Sequence, residues 1–232
     1  MTCKTQVIGE RTISCYDSAV ASRSYGQYCG FARALDVVGE RWALLLVRDL
    51  LIGPKRFSEL QRGLPKMPSN ILTARLKELE AAGVVRRRAQ ARPLGGVVYE
   101  LTENGRELED CVVALGRWGA KQLGPVRPEE IITSDSIAMA LRTIFRPEAA
   151  AGDDISFELR QGEIVANAHV RDGAVSVGRG PLPAADLVIE SGPDIRRLLA
   201  GEMTPKDALK LGVVRLRGKR ALLERFVQLF HI

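Results

Sequence analysis

Gly53 to Arg92, GPKRFSELQRGLPKMPSNILTARLKELEAAGVVRRRAQAR, is the stretch around which the other segments fall into place. Ten Lys or Arg stand against three Glu, so these residues carry a net +7, more than the +6 of all 232 residues. Apolar residues recur at helical spacing in two short runs, Phe57-Leu60-Leu64 and Ile71-Leu72-Leu76-Leu79. Between them, Leu64-Pro65-Lys66-Met67-Pro68 carries a turn signal. Two short helices, a tight turn and a basic tail are the pattern of a helix-turn-helix with a basic wing.

The second helix is expected over Ser69 to Ala82, with Ser69 or Pro68 as N-cap and Gly83 at the C′ position. A step of about 100° per residue puts Leu72, Leu76 and Leu79 on a core stripe and Asn70, Thr73, Ala74 and Lys77 opposite. With Ser69 these are the candidate base readers. Asn pairs with adenine through two hydrogen bonds, Thr offers a methyl and a hydroxyl, and a small Ala lets a helix approach base edges closely. The plainer reading is a solvated helix face. Arg75 lies beside the stripe, placed to reach a phosphate or to pair with a Glu. Past Gly83, Val84-Val85-Arg86-Arg87-Arg88 and Val97-Val98-Tyr99-Glu100-Leu101 flank Arg92-Pro93-Leu94-Gly95-Gly96, which reads as a hairpin and therefore a wing. Arg86, Arg87, Arg88 and Arg92, with Lys55, Arg56 and Lys66, are candidate phosphate contacts. Standing alone, the strand arginines would be a charged edge that blocks aggregation.

Toward the N-terminus, Arg41 to Leu51 is apolar almost all round and reads as the buried helix of this domain. Before it, Phe31, Ala34, Leu35 and Val38 share one helical face that Gly39 ends. Residues 1–27 are polar and aperiodic, expected to form a poorly ordered arm or to follow a start site placed too early. Toward the C-terminus, Thr102-Glu-Asn-Gly105 opens a long helix whose stripe is Leu108, Cys111, Val112, Leu115, Trp118 and Leu123. So long a stripe on so small a domain points to a shared interface, with Phe31, Leu35, Leu108, Val112, Leu115 and Trp118 as its candidates. A two-fold dimer of this kind would set two recognition helices about 34 Å apart on a pseudo-palindromic double-stranded DNA site.

Charge location agrees. Residues 1–127 hold 20 basic and 13 acidic side chains, and residues 128–232 hold 14 and 15, so a polyanionic partner belongs to the first half. Cys3, Cys15, Cys29 and Cys111 are widely spaced and the only histidines are His169 and His231, which leaves no metal site and no cofactor to expect. No apolar run approaches the roughly 20 residues of a membrane helix, and a cytoplasmic protein with reduced thiols is expected. His169 has no base or nucleophile spaced to suggest catalysis, so no enzyme is expected.

Residues 28–123 resemble the HxlR family of bacterial winged helix-turn-helix regulators. The matching phrases are Ala34-Leu-Asp-Val-Val-Gly39, Arg41-Trp-Ala-Leu-Leu-Leu46, Gly53-Pro-Lys-Arg-Phe-Ser-Glu-Leu60, Leu72-Thr-Ala-Arg-Leu-Lys-Glu-Leu79, Gly83-Val-Val85 and Tyr99-Glu-Leu-Thr-Glu-Asn-Gly105. The resemblance implies a dimeric transcription factor, more often a repressor, with Asn70, Thr73 and Lys77 on the recognition helix. The family usually opens with Cys-Pro, where this chain has Cys29-Gly30, and in some relatives that cysteine senses oxidants. Cys29 is therefore a candidate redox residue, against the simpler reading of a small apolar side chain buried in the dimer interface.

Gly124 to Glu130 has linker composition, and 124–133 is taken as a linker. Residues 134–232 then run helix, four strand-like segments, two helices, a strand and a helix, resembling the sterol-carrier-type lipid-binding domain. The phrases are Ala185-Asp-Leu-Val-Ile-Glu190, Asp194-Ile-Arg-Arg-Leu-Leu-Ala-Gly201 and Gly212-Val-Val-Arg-Leu-Arg-Gly218. Such a domain implies an apolar pocket, for which Phe157, Ile189, Leu198, Met203, Leu211 and Phe226 are candidates, each more readily read as plain core. The expected fold is α+β, an N-terminal winged helix-turn-helix domain followed by a small α+β domain. The expected function is a dimeric, sequence-specific DNA-binding regulator, controlled by a small apolar effector. The alternative is a lipid-binding carrier whose winged domain contacts protein.

Overall fold

The computed structural model describes residues 24–232 except 92 and 94, so the expected N-terminal arm lies outside the described residues up to position 23. The chain divides into two compact units after Glu40. In the first, α1 (Gly30–Val38) stops at Gly39, whose N–H reaches Leu35 O at 2.9 Å. The Tyr25 N–H donates to Asp36 Oδ1 at 2.9 Å, which holds the preceding segment against this helix.

The second unit begins with α2 (Ala43–Leu51). The expected start at Arg41 is corrected, because Trp42 takes φ 82°, a left-handed conformation that a helix interior does not admit. Ala43, Leu46, Val47 and Leu50 are buried, and α3 (Phe57–Gly63) packs Leu60 against this helix. The Pro-rich turn tucks Leu64 and Met67 into the core and leads to α4 (Ser69–Ala81). Gly83, at φ 70°, closes α4 with paired bonds, its own N–H to Glu80 O at 3.0 Å and Val84 N–H to Leu79 O at 2.9 Å. That closure needs a left-handed residue, which glycine adopts without a Cβ penalty.

Strands β1 (Val85–Ala89) and β2 (Val97–Leu101) form the antiparallel wing, with Arg86 opposite Glu100 and Arg87 opposite Tyr99. Lys55 adds an isolated bridge to Tyr99 on this ribbon. The expected long helix from Thr102 is corrected to two, α5 (Glu103–Arg106) and α6 (Glu109–Ala120), which leaves Leu123 beyond the helical end. The first turn is tied separately: the Thr102 hydroxyl donates to Gly83 O at 2.6 Å and accepts from Gly105 N–H at 3.0 Å.

Residues 121–132 contain no helix or strand. After them α7 (Ser134–Ile144) is capped reciprocally by Thr133 and Ser136, at 3.0 and 2.9 Å. A five-stranded sheet follows, built from β3 (Asp154–Gln161), β4 (Ile164–Arg171), β5 (Ala174–Arg179), β6 (Leu187–Ser191) and β7 (Val214–Gly218) in the order β5-β4-β3-β6-β7. Only the β3–β6 pairing is parallel. Helices α8 (Ile195–Leu199) and α9 (Pro205–Lys210) connect β6 to β7, and α10 (Leu222–Leu229) closes the chain. Alternation along β3 and β4 turns Phe157, Leu159, Ala166, Ala168 and Val170 to one buried face. Phe226 and Phe230 pack onto it, their ring centroids 5.1 and 5.9 Å from Phe157.

The winged part and the C-terminal part meet through α7, which packs on both α2 and α6. A Cβ on Gly116 of α6 would stand 3.1 Å from Thr143 Cγ2, so a glycine there is what lets the two helices approach. Polar ties span the same junction, among them three ion pairs: Lys55 Nζ to Asp135 Oδ1 at 2.7 Å, Arg142 Nη1 to Glu109 Oε1 at 2.8 Å, and Arg179 Nη1 to Glu59 Oε1 at 2.9 Å.

Candidate nucleic-acid interface

Helix α4 keeps Leu72, Leu76 and Leu79 buried and turns Ser69, Asn70, Thr73 and Lys77 to solvent, with Ala74 half-buried among them. The Thr73 hydroxyl donates to Ser69 O at 2.9 Å, so it presents its methyl and its lone pairs outward. Of the two expected N-caps it is Pro68 that occupies the position, without a side-chain capping bond, and Ser69 is the first helical residue. A helix start of that kind suits an anionic oxygen such as a phosphate.

In the wing the three consecutive arginines separate. Arg86 Nε and Arg88 Nε donate to the two oxygens of Glu100, each at 2.8 Å. These bonds, Arg88's first, hold the Glu100 carboxyl below its ordinary range. Arg87 points to the other face, its guanidinium carbon 6.0 Å from the Tyr99 ring centroid. Two of the three charges therefore share one carboxylate, and Arg87 differs from them in kind. Glu100 was not singled out in the sequence, because its role follows from the hairpin register. Arg92 lies outside the described residues.

Two of the expected phosphate contacts are corrected. Lys55 is 1% exposed, with its ammonium held by Asp135, so it does not reach the surface. Arg56 directs Nη2 to Gly95 O at 2.8 Å and Gln90 Oε1 at 3.3 Å, where it supports the wing loop from inside. Arg75 pairs with Glu78 one turn on, the second of the two outcomes the sequence allowed. Lys66 is exposed in the turn before α4.

Of the expected interface residues on α6, Leu115 and Trp118 are 51% and 65% exposed, and Leu108 is half-buried. Val112 is corrected: at 8% exposed it is core of the single chain. In the first unit Phe31 is exposed and Leu35 half-buried. Cys29, at the N-cap of α1, is exposed in the single chain, and the N–H groups of Ala32 and Phe31 hold its thiol below the ordinary range.

The apolar pocket set is also corrected. Phe157, Ile189, Leu198, Met203 and Phe226 belong to one packed core cluster, and Leu211 is 67% exposed, away from it. On the opposite face of the sheet His169 Nε2 lies 2.6 Å from Asp154 Oδ1, which also accepts from Arg171. Strand register, not sequence spacing, brings these together. No group of three or more His, Cys, Asp or Glu suited to a metal ion occurs among the described residues, and no helix among them is long and apolar enough to cross a membrane.

A family model described as HxlR-like helix-turn-helix matches residues 37–127. Among curated proteins, the uncharacterized HTH-type transcriptional regulator YvaP of Bacillus subtilis (strain 168) is 36% identical over 95 residues, 41% of this chain and 88% of the relative. YybR of the same organism, with the same description, is 40% identical over 91 residues, 39% of this chain and 73% of the relative. Among solved structures, the redox regulator HypR in its oxidized form is 38% identical, covering 42% of this chain and all of that one, with a TM-score of 0.39.

Proposed function

The chain belongs to the HxlR-like helix-turn-helix family, and from that premise we propose that it is a sequence-specific DNA-binding transcriptional regulator acting as a homodimeric repressor. The observation that carries the reading is the outward face of α4. Asn70, Thr73 and Lys77 stand exposed over a fully buried leucine stripe, beside a wing that presents Arg87. Side chains on a rigid helix read base edges in the major groove, and the wing cation neutralises phosphate without regard to sequence. The exposed Leu115 and Trp118 support pairing of two copies. A dimer seated on a promoter excludes polymerase, which is the repressor part of the proposal.

Fluorescence anisotropy on the chain's own upstream DNA, titrated across salt, tests it. Tight binding with a steep salt dependence is expected. Arg87→Ala should weaken all sequences alike and lower the log–log salt slope by about one. Asn70→Ala should instead reduce the preference for operator over random duplex, by roughly 1–3 kcal/mol. Binding no tighter than to random DNA, together with lipid retained on native purification, would replace this reading with the carrier alternative. Control by a small apolar effector would place that effector where Phe157, Phe226 and Phe230 now pack, so entry requires these rings to move. Native mass spectrometry of the purified chain tests that control.

A further inference from the structure

Lys55 to Glu59, at the entry to α3, hold three elements together. The Lys55 backbone exchanges both hydrogen bonds with Tyr99 of β2, at 2.9 and 2.8 Å, and the Tyr99 ring lies under the Arg87 guanidinium. The Arg56 guanidinium reaches Gly95 O in the wing loop at 2.8 Å, and the Arg56 N–H donates to Glu59 Oε2 at 2.7 Å in the first turn of α3. Helix α3 in turn sets α4, since the Gln61 amide donates to Met67 O at 2.6 Å in the turn between them. The wing and the recognition helix therefore share one anchor, residues 55–59. The C-terminal part grips that anchor at both ends. Asp135 of α7 takes the Lys55 ammonium at 2.7 Å, and Arg179 of β5 donates to Glu59 Oε1 at 2.9 Å. Glu59 thus divides its carboxylate, one oxygen for the α3 cap and the other for Arg179.

A two-stranded ribbon is marginally stable by itself, so where the wing stands relative to α4 follows from what fixes residues 55–59. We propose that Asp135 and Arg179 are positioning residues for DNA binding, which hold the wing at the distance from α4 at which Arg87 meets a phosphate while α4 lies in the major groove. This role rests on the DNA-binding reading, and neither residue touches DNA in it. The Arg179–Glu59 pair is 43% and 26% exposed on its two sides, so its loss costs the fold little and leaves the orienting role to be measured.

Anisotropy of the full chain on its own upstream DNA, with hydrogen exchange of the free protein, tests it. Arg179→Ala should weaken binding several-fold and lower the log–log salt slope by about one, as Arg87→Ala does. Added to Arg87→Ala it should cost less than about twofold more, because both act through one contact. Arg179→Lys, which keeps a cation for Glu59, should restore most of the affinity. Glu59→Gln keeps the α3 cap and removes an acid, so charge alone would tighten binding; weakening is expected instead. Without DNA, the Tyr99 N–H that donates to Lys55 O should exchange faster in Arg179→Ala at an unchanged melting temperature. Additive losses in the double variant, tighter binding in Glu59→Gln, or unchanged Tyr99 exchange overturns the role. A parent chain with no preference for its upstream DNA removes the DNA-binding reading instead, and Tyr99 exchange then decides by itself whether Arg179 holds the wing.

Discussion

Lys55 connects two parts of the molecule through a single residue. Its backbone exchanges both hydrogen bonds with Tyr99 of the wing, at 2.9 and 2.8 Å, while its ammonium reaches Asp135 in the first turn of α7. Lys55→Met removes the cation and leaves a largely buried carboxylate unpaired, which should destabilise the fold by about 3 kcal/mol. Urea unfolding checks this as a lower midpoint at constant slope. A shift under about 0.5 kcal/mol would show that water solvates Asp135 in its place. Asp186 makes a separate case. The Lys219 ammonium, then the N–H and hydroxyl of Ser156, pull its carboxyl down to about 2. A folded pKa below the unfolded one means that its contribution is complete above about pH 4 and disappears as the pH falls through about 2. Asp186→Asn should therefore be less stable than the parent near neutrality, and the two should converge at about pH 2 in urea titrations taken at stepped pH.

Among the elements, α4 was legible from residue spacing alone, because a 3.6-residue period separates its buried leucines from Asn70, Thr73 and Lys77 without knowledge of any neighbour. The wing was legible as a hairpin but not in its charges. Alternation in β1 sends Arg86 and Arg88 to Glu100 and Arg87 to Tyr99, and that division depends on which residue of β2 lies opposite. In α6 the same helical period grouped Val112 with Leu115 and Trp118. What divides them is α7, whose presence covers one flank and leaves the other open. Trp118→Asp should leave the fold of the single chain intact, since the side chain is solvent-facing, and should shift sedimentation velocity toward the monomer mass. An unchanged mass with the substitution in place would take α6 out of the interface.

At the scale of the molecule, the C-terminal part bears on the winged part over α2, α6 and α3. Ending the chain after Arg127 would uncover Gly116 and remove Asp135, the partner of the Lys55 ammonium. Such a truncation should melt at a lower temperature than the full chain and bind hydrophobic dye. Equal melting temperatures would mean that the parts are energetically independent. The charge division, 20 basic against 13 acidic residues up to 127 and 14 against 15 beyond, leaves the excess positive field on the half that carries α4 and the wing.

The stretch Gly53–Arg92 by itself determined the helix-turn-helix and the outward face of its second helix, and with the phrases flanking it the family, since these depend on local period, turn residues and phrase spacing. The tertiary structure alone decided which of its cations are already paired. Lys55, Arg56, Arg86, Arg88 and Arg75 each meet an acceptor, and for all but Arg75 it lies distant in sequence. Long-range pairing cannot be read from one-dimensional spacing, because the desolvation that makes a buried cation seek a carboxylate acts only after the chain has brought the two together.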